Sequence, residues 1–110
     1  MLAAKSLNLP VACTLTGPEL QERRRTVLQQ LRSAVVEVME LETGYAYCFP
    51  SQPELLDELA KLIGLERQCC PFLTFRITIA ADSGPIWLEM TGPEGTKEFL
   101  QATFTSEARP

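Results

Sequence analysis

The chain has 110 residues, of which 45% are hydrophobic and 22% are charged, and its formal net charge is −4 at pH 7. This size and composition are typical of one folded domain and argue against disorder or a need for stabilising disulfides. An acidic domain repels a phosphate backbone, so we expect no nucleic-acid binding. The chain lacks both a run of ~20 apolar residues and a signal-peptide core, so we expect no membrane association and a cytoplasmic location.

Histidine is absent from the chain. Its absence excludes Ser-His-Asp and Cys-His activation of a nucleophile in their usual forms, and the common histidine-containing zinc sites. No complete catalytic signature is present, so the sequence leans away from an enzyme. In the cytoplasm the four cysteines are better interpreted as reduced thiols than as a disulfide framework: Cys13, Cys48, Cys69 and Cys70.

The first part of the chain predicts a strand and a helix. Residues 1–10 indicate a loose arm, and apolar alternation over residues 11–15 predicts a short strand. Residues 16–19, Thr-Gly-Pro-Glu, match a capping box and predict a helix that begins near residue 17. Arg24 falls within the apolar stripe of this helix, so we expect its stem to lie along the edge of the core. The arginine run at 23–25 otherwise indicates a solvated face.

The middle of the chain predicts a hairpin followed by the longest helical pattern. Two β-rich runs within residues 34–49 flank a turn at which Gly44 could adopt positive φ. The second run carries an aromatic face, formed by Tyr45, Tyr47 and Phe49. We interpret this face as core or as a dimer contact, and we expect a homodimer because two main helices leave apolar surface uncovered. A capping box at 51–54 predicts a helix from near residue 52, which Pro71 ends.

The last part of the chain predicts a second pair of strands and a short helix. Alternation over residues 73–79 and 86–90 indicates the strands, and a third capping box predicts a helix from near residue 92. The tail over 105–110 is expected to fray. The order β-α-β-β-α-β-β-α predicts a single α+β domain over 1–110, with helices packed against a mainly antiparallel five-stranded sheet. Without its last strand and helix it matches the ferredoxin-like split β-α-β pattern.

One group of residues near the end of the second helix could carry chemistry. At 3.6 residues per turn, the apolar face of that helix continues through Glu66, Cys69 and Cys70. The carboxylate therefore lies on this face one turn before the two cysteines. A buried carboxylate needs an Arg or Lys partner, a ring of donors or a raised pKa; alternatively, the helix end protrudes and Glu66 reaches water. Arg76 on the next strand is the candidate partner in either case. We also expect the carboxylate to lie within one side-chain length of a sulfur, and at least one thiol to be partly reachable by solvent. Cys13, on an inward-facing strand position, could add a third sulfur.

Two interpretations of this group remain open. Neighbouring thiolates suit soft ions such as mercury, arsenite or copper(I), and they also suit redox exchange in which one cysteine attacks and the other resolves. Glu66 would then accept a proton or orient a thiol. Alternatively, the cysteines pack as small hydrophobic residues in a ferredoxin-like module that dimerises or binds a partner. The helix C-terminus favours this second interpretation, because it raises the pKa of a thiol.

The segment from Glu66 to Phe72 resembles one found in a family of small bacterial proteins. These proteins carry Glu-x-x-Cys-Cys-x-Phe between a helix and a strand, matched here by Glu66, Cys69, Cys70 and Phe72. Members sometimes occur beside genes for resistance to mercury or other soft metals, so the resemblance implies a thiol-based role with a soft metal ion. It covers roughly residues 52–92 and implies no particular reaction.

Overall fold

A computed structural model describes residues 17–105 of the chain. Its helices and strands follow the predicted order: α1 Pro18–Ala34, β1 Glu37–Leu41, β2 Gly44–Phe49, α2 Pro53–Cys69, β3 Thr74–Ile79, β4 Ile86–Thr91 and α3 Thr96–Leu100, which continues as a π-helical turn over Gln101–Thr105. The predicted arm at 1–10, the predicted strand at 11–15 and the tail beyond residue 105 lie outside the described residues. Within that range, no helix is long and apolar enough to cross a membrane.

The strands form one antiparallel sheet with the order β1-β2-β4-β3. The α+β class and the antiparallel sheet are therefore confirmed, but residues 17–105 supply four strands to it instead of the five predicted. Because β4 is antiparallel to both β2 and β3, those two strands run in the same direction, and α2 connects them across β4. From the sequence, β4 was expected to be an addition to the split β-α-β pattern. In the structure it is a central strand, between β2 and β3.

One face of the sheet forms the core together with the helices. Alternate residues of β2 and β4 point into it, and helix residues cover them: Tyr45, Tyr47, Phe49, Ile86, Leu88, Met90, Val27, Leu28, Leu31, Leu55, Leu59 and Leu62. Phe104 of the π-helical turn closes one end, with its ring edge-on to Tyr47 at 4.4 Å between centroids. The aromatic face of β2 is thus core in the described structure.

The helices begin near the predicted positions but not for the predicted reason. α1 and α2 have Gly17 and Gln52 as N-caps, and neither N-cap makes a side-chain hydrogen bond. A proline in the first turn is instead common to both, and its fixed φ and missing N–H suit that position. α3 begins at Thr96, four residues beyond residue 92, after Gly95 adopts a φ of 99°.

The predicted hairpin is present, and Gly44 serves it in an unexpected way. Positive φ occurs in the described range at Gly95, Asp82 and Ser83, not at Gly44. A Cβ atom on Gly44 would instead lie 1.9 Å from the carbonyl oxygen of Met90. Glycine is therefore required here because β2 and β4 approach closely, not because the turn needs a left-handed residue.

Candidate functional site

The end of α2 holds the predicted acid and both cysteines on the core side of the helix. Glu66 is 3% exposed, and Cys69 and Cys70 are fully buried. Cys70 is the C-cap, with φ −128° and ψ 73°, and its backbone N–H donates to the carbonyl of Glu66 at 2.6 Å. Pro71 follows and has no N–H with which to continue the helix. The chain therefore turns toward β3 immediately after Cys69 and Cys70.

The carboxylate of Glu66 accepts hydrogen bonds from two directions. The Arg24 guanidinium on α1 binds it through Nε to Oε2 and through Nη2 to Oε1, the latter at 3.2 Å. The Cys70 thiol donates to Oε1 at 3.5 Å. We refer to Arg24, Glu66 and Cys70 as the triad. It joins two helices through a buried carboxylate that contacts both a cation and a thiol.

The sulfurs of the two adjacent cysteines converge at the same place. Their Sγ atoms are 3.4 Å apart, far beyond the ~2.05 Å of a disulfide, so no covalent bond joins them. Adjacent residues on a regular helix diverge by about 100°, but Cys70 leaves the helical conformation and turns its sulfur back toward Cys69. The predicted convergence, and the closeness of the Glu66 carboxylate to a sulfur, are both observed.

Burial and charge keep the Cys70 thiol protonated. Burial, and then the negative charge of Glu66, raise the pKa of Cys70 to about 12, and Arg24 opposes this rise only in part. Burial by itself would lower the pKa of Arg24, but the hydrogen bond and charge of Glu66 outweigh that effect and raise it. Near neutral pH the triad thus consists of a guanidinium, a carboxylate and a neutral thiol.

Two expectations about the site are wrong. Neither sulfur is reachable by solvent in this conformation, because Cys69 and Cys70 are both fully buried. Arg76 is not the partner of Glu66: its guanidinium lies 4.0 Å from the carboxylate of Glu89, its cross-strand neighbour, and its side chain is 75% exposed. Arg76 alternates with the inward positions of β3, so strand geometry directs it to the sheet face opposite the core.

The partner of Glu66 is Arg24, which lies 42 positions earlier in the chain. The position of Arg24 on the apolar stripe of the first helix is the sequence feature that could have identified it as the partner. Its half-buried side chain agrees with the prediction that its stem lies along the edge of the core. The next arginine follows the solvated-face interpretation: Arg25 pairs with Glu22, and both are exposed. Helix periodicity thus separates two neighbouring arginines with different environments.

The remaining predicted residues lie around the triad, away from it or beyond the described range. Phe72 is buried and packs edge-on against Phe99, with 5.1 Å between ring centroids, so it supports the turn after α2. Cys48 is on β2, on the sheet face opposite the core. Cys13 lies outside the described residues. Within residues 17–105, no three acidic or cysteine side chains are arranged to hold a metal ion.

A groove lies between α1 and α2. Its volume is about 650 Å³, and its lining includes Arg23, Leu65 and Gln68, the chain neighbours of Arg24, Glu66 and Cys69. Gly64 also lines it, and a Cβ there would meet no atom within 4 Å. The helix pair therefore leaves open space that is lined by chain neighbours of the triad and by none of its three members.

Comparison with models of known protein families, with curated proteins and with solved structures finds no match to this chain. The resemblance of residues 66–72 to the bacterial segment therefore stays an expectation. The chemistry of the triad is therefore argued from the distances, burial and charges of its own residues.

Proposed function

We propose that the chain is a small thiol protein in which Cys70 captures a soft metal ion and Glu66 receives the thiol proton. The observation that carries this proposal is the hydrogen bond from the buried Cys70 thiol to a carboxylate held by Arg24. A buried ion pair is often no more stabilising than apolar residues of similar volume. Packing alone therefore gives no reason for this pair, whereas a carboxylate in contact with a thiol can accept its proton.

The proposed capture step needs only groups that are present in the triad and the ion itself. A lone pair of the Cys70 sulfur forms the bond to the metal, and the S–H proton passes to the Glu66 carboxylate and then to water. Thiolate is the preferred ligand of soft cations, so the thiol and not the carboxylate selects the ion. A mercury-type role also agrees with the resemblance of residues 66–72.

The spacing of the two sulfurs supports a second candidate, thiol–disulfide exchange. Cys69 is held in a disulfide, and the Cys70 sulfur lies 3.4 Å from the Cys69 sulfur. Attack by Cys70 on the Cys69 sulfur forms a bond between the two cysteines and breaks the original S–S bond. The released thiolate takes the proton that Cys70 gave to Glu66.

The burial of Cys70 favours the alternative in which the cysteines serve only to pack the core. A fully buried thiol with a pKa of about 12 is unreactive until the site opens. In that case the chain is a non-enzymatic module whose cysteines only fill space. Cys70→Ser would then lower stability by about 1–3 kcal/mol and leave metal affinity unchanged.

A mercuric chloride titration beside a thermal melt separates these alternatives. Cys48→Ser is the matched control for Cys70→Ser, because both replace a buried free cysteine. We expect Cys70→Ser to lose most of the tight mercury binding and Cys48→Ser to retain it. Equal mercury affinity in wild type and Cys70→Ser, with a lower melting temperature for the variant, would refute the proposed function.

We further propose that the protein is a cytoplasmic homodimer of ferredoxin-like type that does not bind nucleic acid. The split arrangement of β2, α2 and β3 around β4 supports the fold type, and the net charge of −4 supports the absence of nucleic acid. Ile77 and Ile79 on the edge strand are 38% and 55% exposed, which supports a partner there. A monomer in sedimentation at high micromolar concentration would contradict the dimer.

A further inference from the structure

Arg24 differs from every other residue in the first half of α1. Over residues 18–26 all side chains are exposed except that of Arg24, whereas Val27 and Leu28 are buried. The Arg24 side chain is only 16% exposed, and its guanidinium contacts Glu66. Arg24 thus joins the first half of the helix to α2 through its ion pair with Glu66.

The charges of the triad balance only while the Cys70 thiol keeps its proton. The closed site contains one guanidinium, one carboxylate and a neutral thiol, for a net charge of zero. If the thiol loses its proton to bind a metal ion, the site holds two negative groups, Glu66 and Cys70. A divalent cation neutralises both, and Arg24 then becomes a surplus charge in a buried site, which is costly.

We propose that Arg24 is an internal placeholder cation, and that a divalent soft cation binds between Glu66 and Cys70 by displacing it. This inference rests on the proposed function and names both the class of ion and the change that accompanies binding. The two ligands are the Glu66 carboxylate and the Cys70 thiolate, whose proton goes to water. The displaced guanidinium moves out into solvent, where water replaces its partner.

A monovalent soft cation such as silver behaves differently. It neutralises the Cys70 thiolate by itself, so the ion pair between Arg24 and Glu66 keeps its balance and stays in place. Divalent capture therefore loosens the first half of α1, including the arginine run at 23–25, and monovalent capture does not. This contrast makes the displacement measurable separately from metal binding.

The rate of tryptic cleavage at residues 23–25 measures the displacement, because trypsin cleaves after arginine and requires a locally unfolded chain. Cleavage of this kind follows the population of the open form. We expect mercuric ion to raise the rate of cleavage at residues 23–25 by about fivefold or more in wild type, and silver nitrate to change it by less than about twofold. Cys70→Ser should remove the response to mercury.

Two outcomes overturn the inference in different ways. Mercury bound at Cys70 with an unchanged cleavage rate leaves the proposed function standing and refutes the displacement. Absence of mercury binding at Cys70 refutes both.

Substitution of the placeholder gives an independent test, with Arg25 as the matched control because it belongs to the same run and pairs only with exposed Glu22. We expect Arg24→Gln to bind mercuric ion about tenfold more tightly than Arg25→Gln in competition with a chelator, because no cation has to leave. Silver affinity should be alike in the two variants. Arg24→Lys keeps the charge and should fall between them if Arg24→Gln folds poorly. Equal or weaker mercury binding by both Arg24 variants overturns the inference.

Discussion

The stability of the fold should depend on the Cys70 thiol at alkaline pH. Burial and the charge of Glu66 raise the pKa of this thiol from its ordinary value of 9.0 to about 12 in the folded protein. The folded state therefore holds its proton over a range in which the unfolded chain has lost it. The stabilisation is fully present below about pH 9 and is lost as pH rises toward 12.

The size of the effect follows from the difference between the two pKa values. Three pH units at 1.36 kcal/mol each set a ceiling of about 4 kcal/mol for the complete loss. Between about pH 8 and about pH 10.5, where roughly half of the window is crossed, the free energy of unfolding should fall by about 2 kcal/mol through this group alone. Other groups titrate in the same range, so a variant without the thiol is needed as reference.

Urea denaturation of wild type and Cys70→Ser at those two pH values, with a reductant present, measures the difference. Serine does not titrate there, so the variant should lack the 2 kcal/mol decrease that wild type shows. Cys48→Ser should keep most of it, because the Cys70 thiol is intact. If wild type and Cys70→Ser lose equal stability between the two pH values, Cys70 is not held as a neutral thiol in contact with Glu66, and the assigned geometry fails.

Three further substitutions test the site and the sheet. Glu66→Gln removes the charge that raises the pKa of Cys70, so iodoacetamide should alkylate Cys70 faster than in wild type at about pH 8; slower alkylation would contradict the role of the carboxylate. Gly44→Ala should cost about 3 kcal/mol in urea denaturation, because its Cβ would overlap the carbonyl oxygen of Met90, and a cost near zero would contradict the close approach of β2 and β4. Gly64→Ala, in open space on α2, should instead stabilise the protein by about 1 kcal/mol.

Local periodicity predicted the parts of the site that lie within one helix. Glu66, Cys69 and Cys70 are at most four positions apart, so the geometry of a single helical turn brings them to one face whatever the rest of the chain does. Pro71 likewise acts through its own backbone, and it marked the place where the sulfurs converge. These features need no knowledge of how α1 and α2 pack.

Features that depend on contacts distant in sequence were predicted less well. Naming Arg76 as the candidate partner of Glu66 favoured closeness in sequence, but the alternation of β3 already directs Arg76 away from the core. The ion pair of Glu66 joins it to a residue 42 positions away on α1, and the requirement for Gly44 depends on Met90 of another strand. No pattern within a single element contains that information.

The central position of β4 has a consequence for biosynthesis. During translation β2, α2 and β3 leave the ribosome before β4 exists, and β2 and β3 have no hydrogen bonds to each other without it. The sheet therefore cannot close until residue 91 has emerged, and the apolar strands depend on this late segment for protection from aggregation. A ribosome-bound chain that ends before residue 86 should consequently lack an ordered triad, although Arg24, Glu66 and Cys70 have all been synthesised.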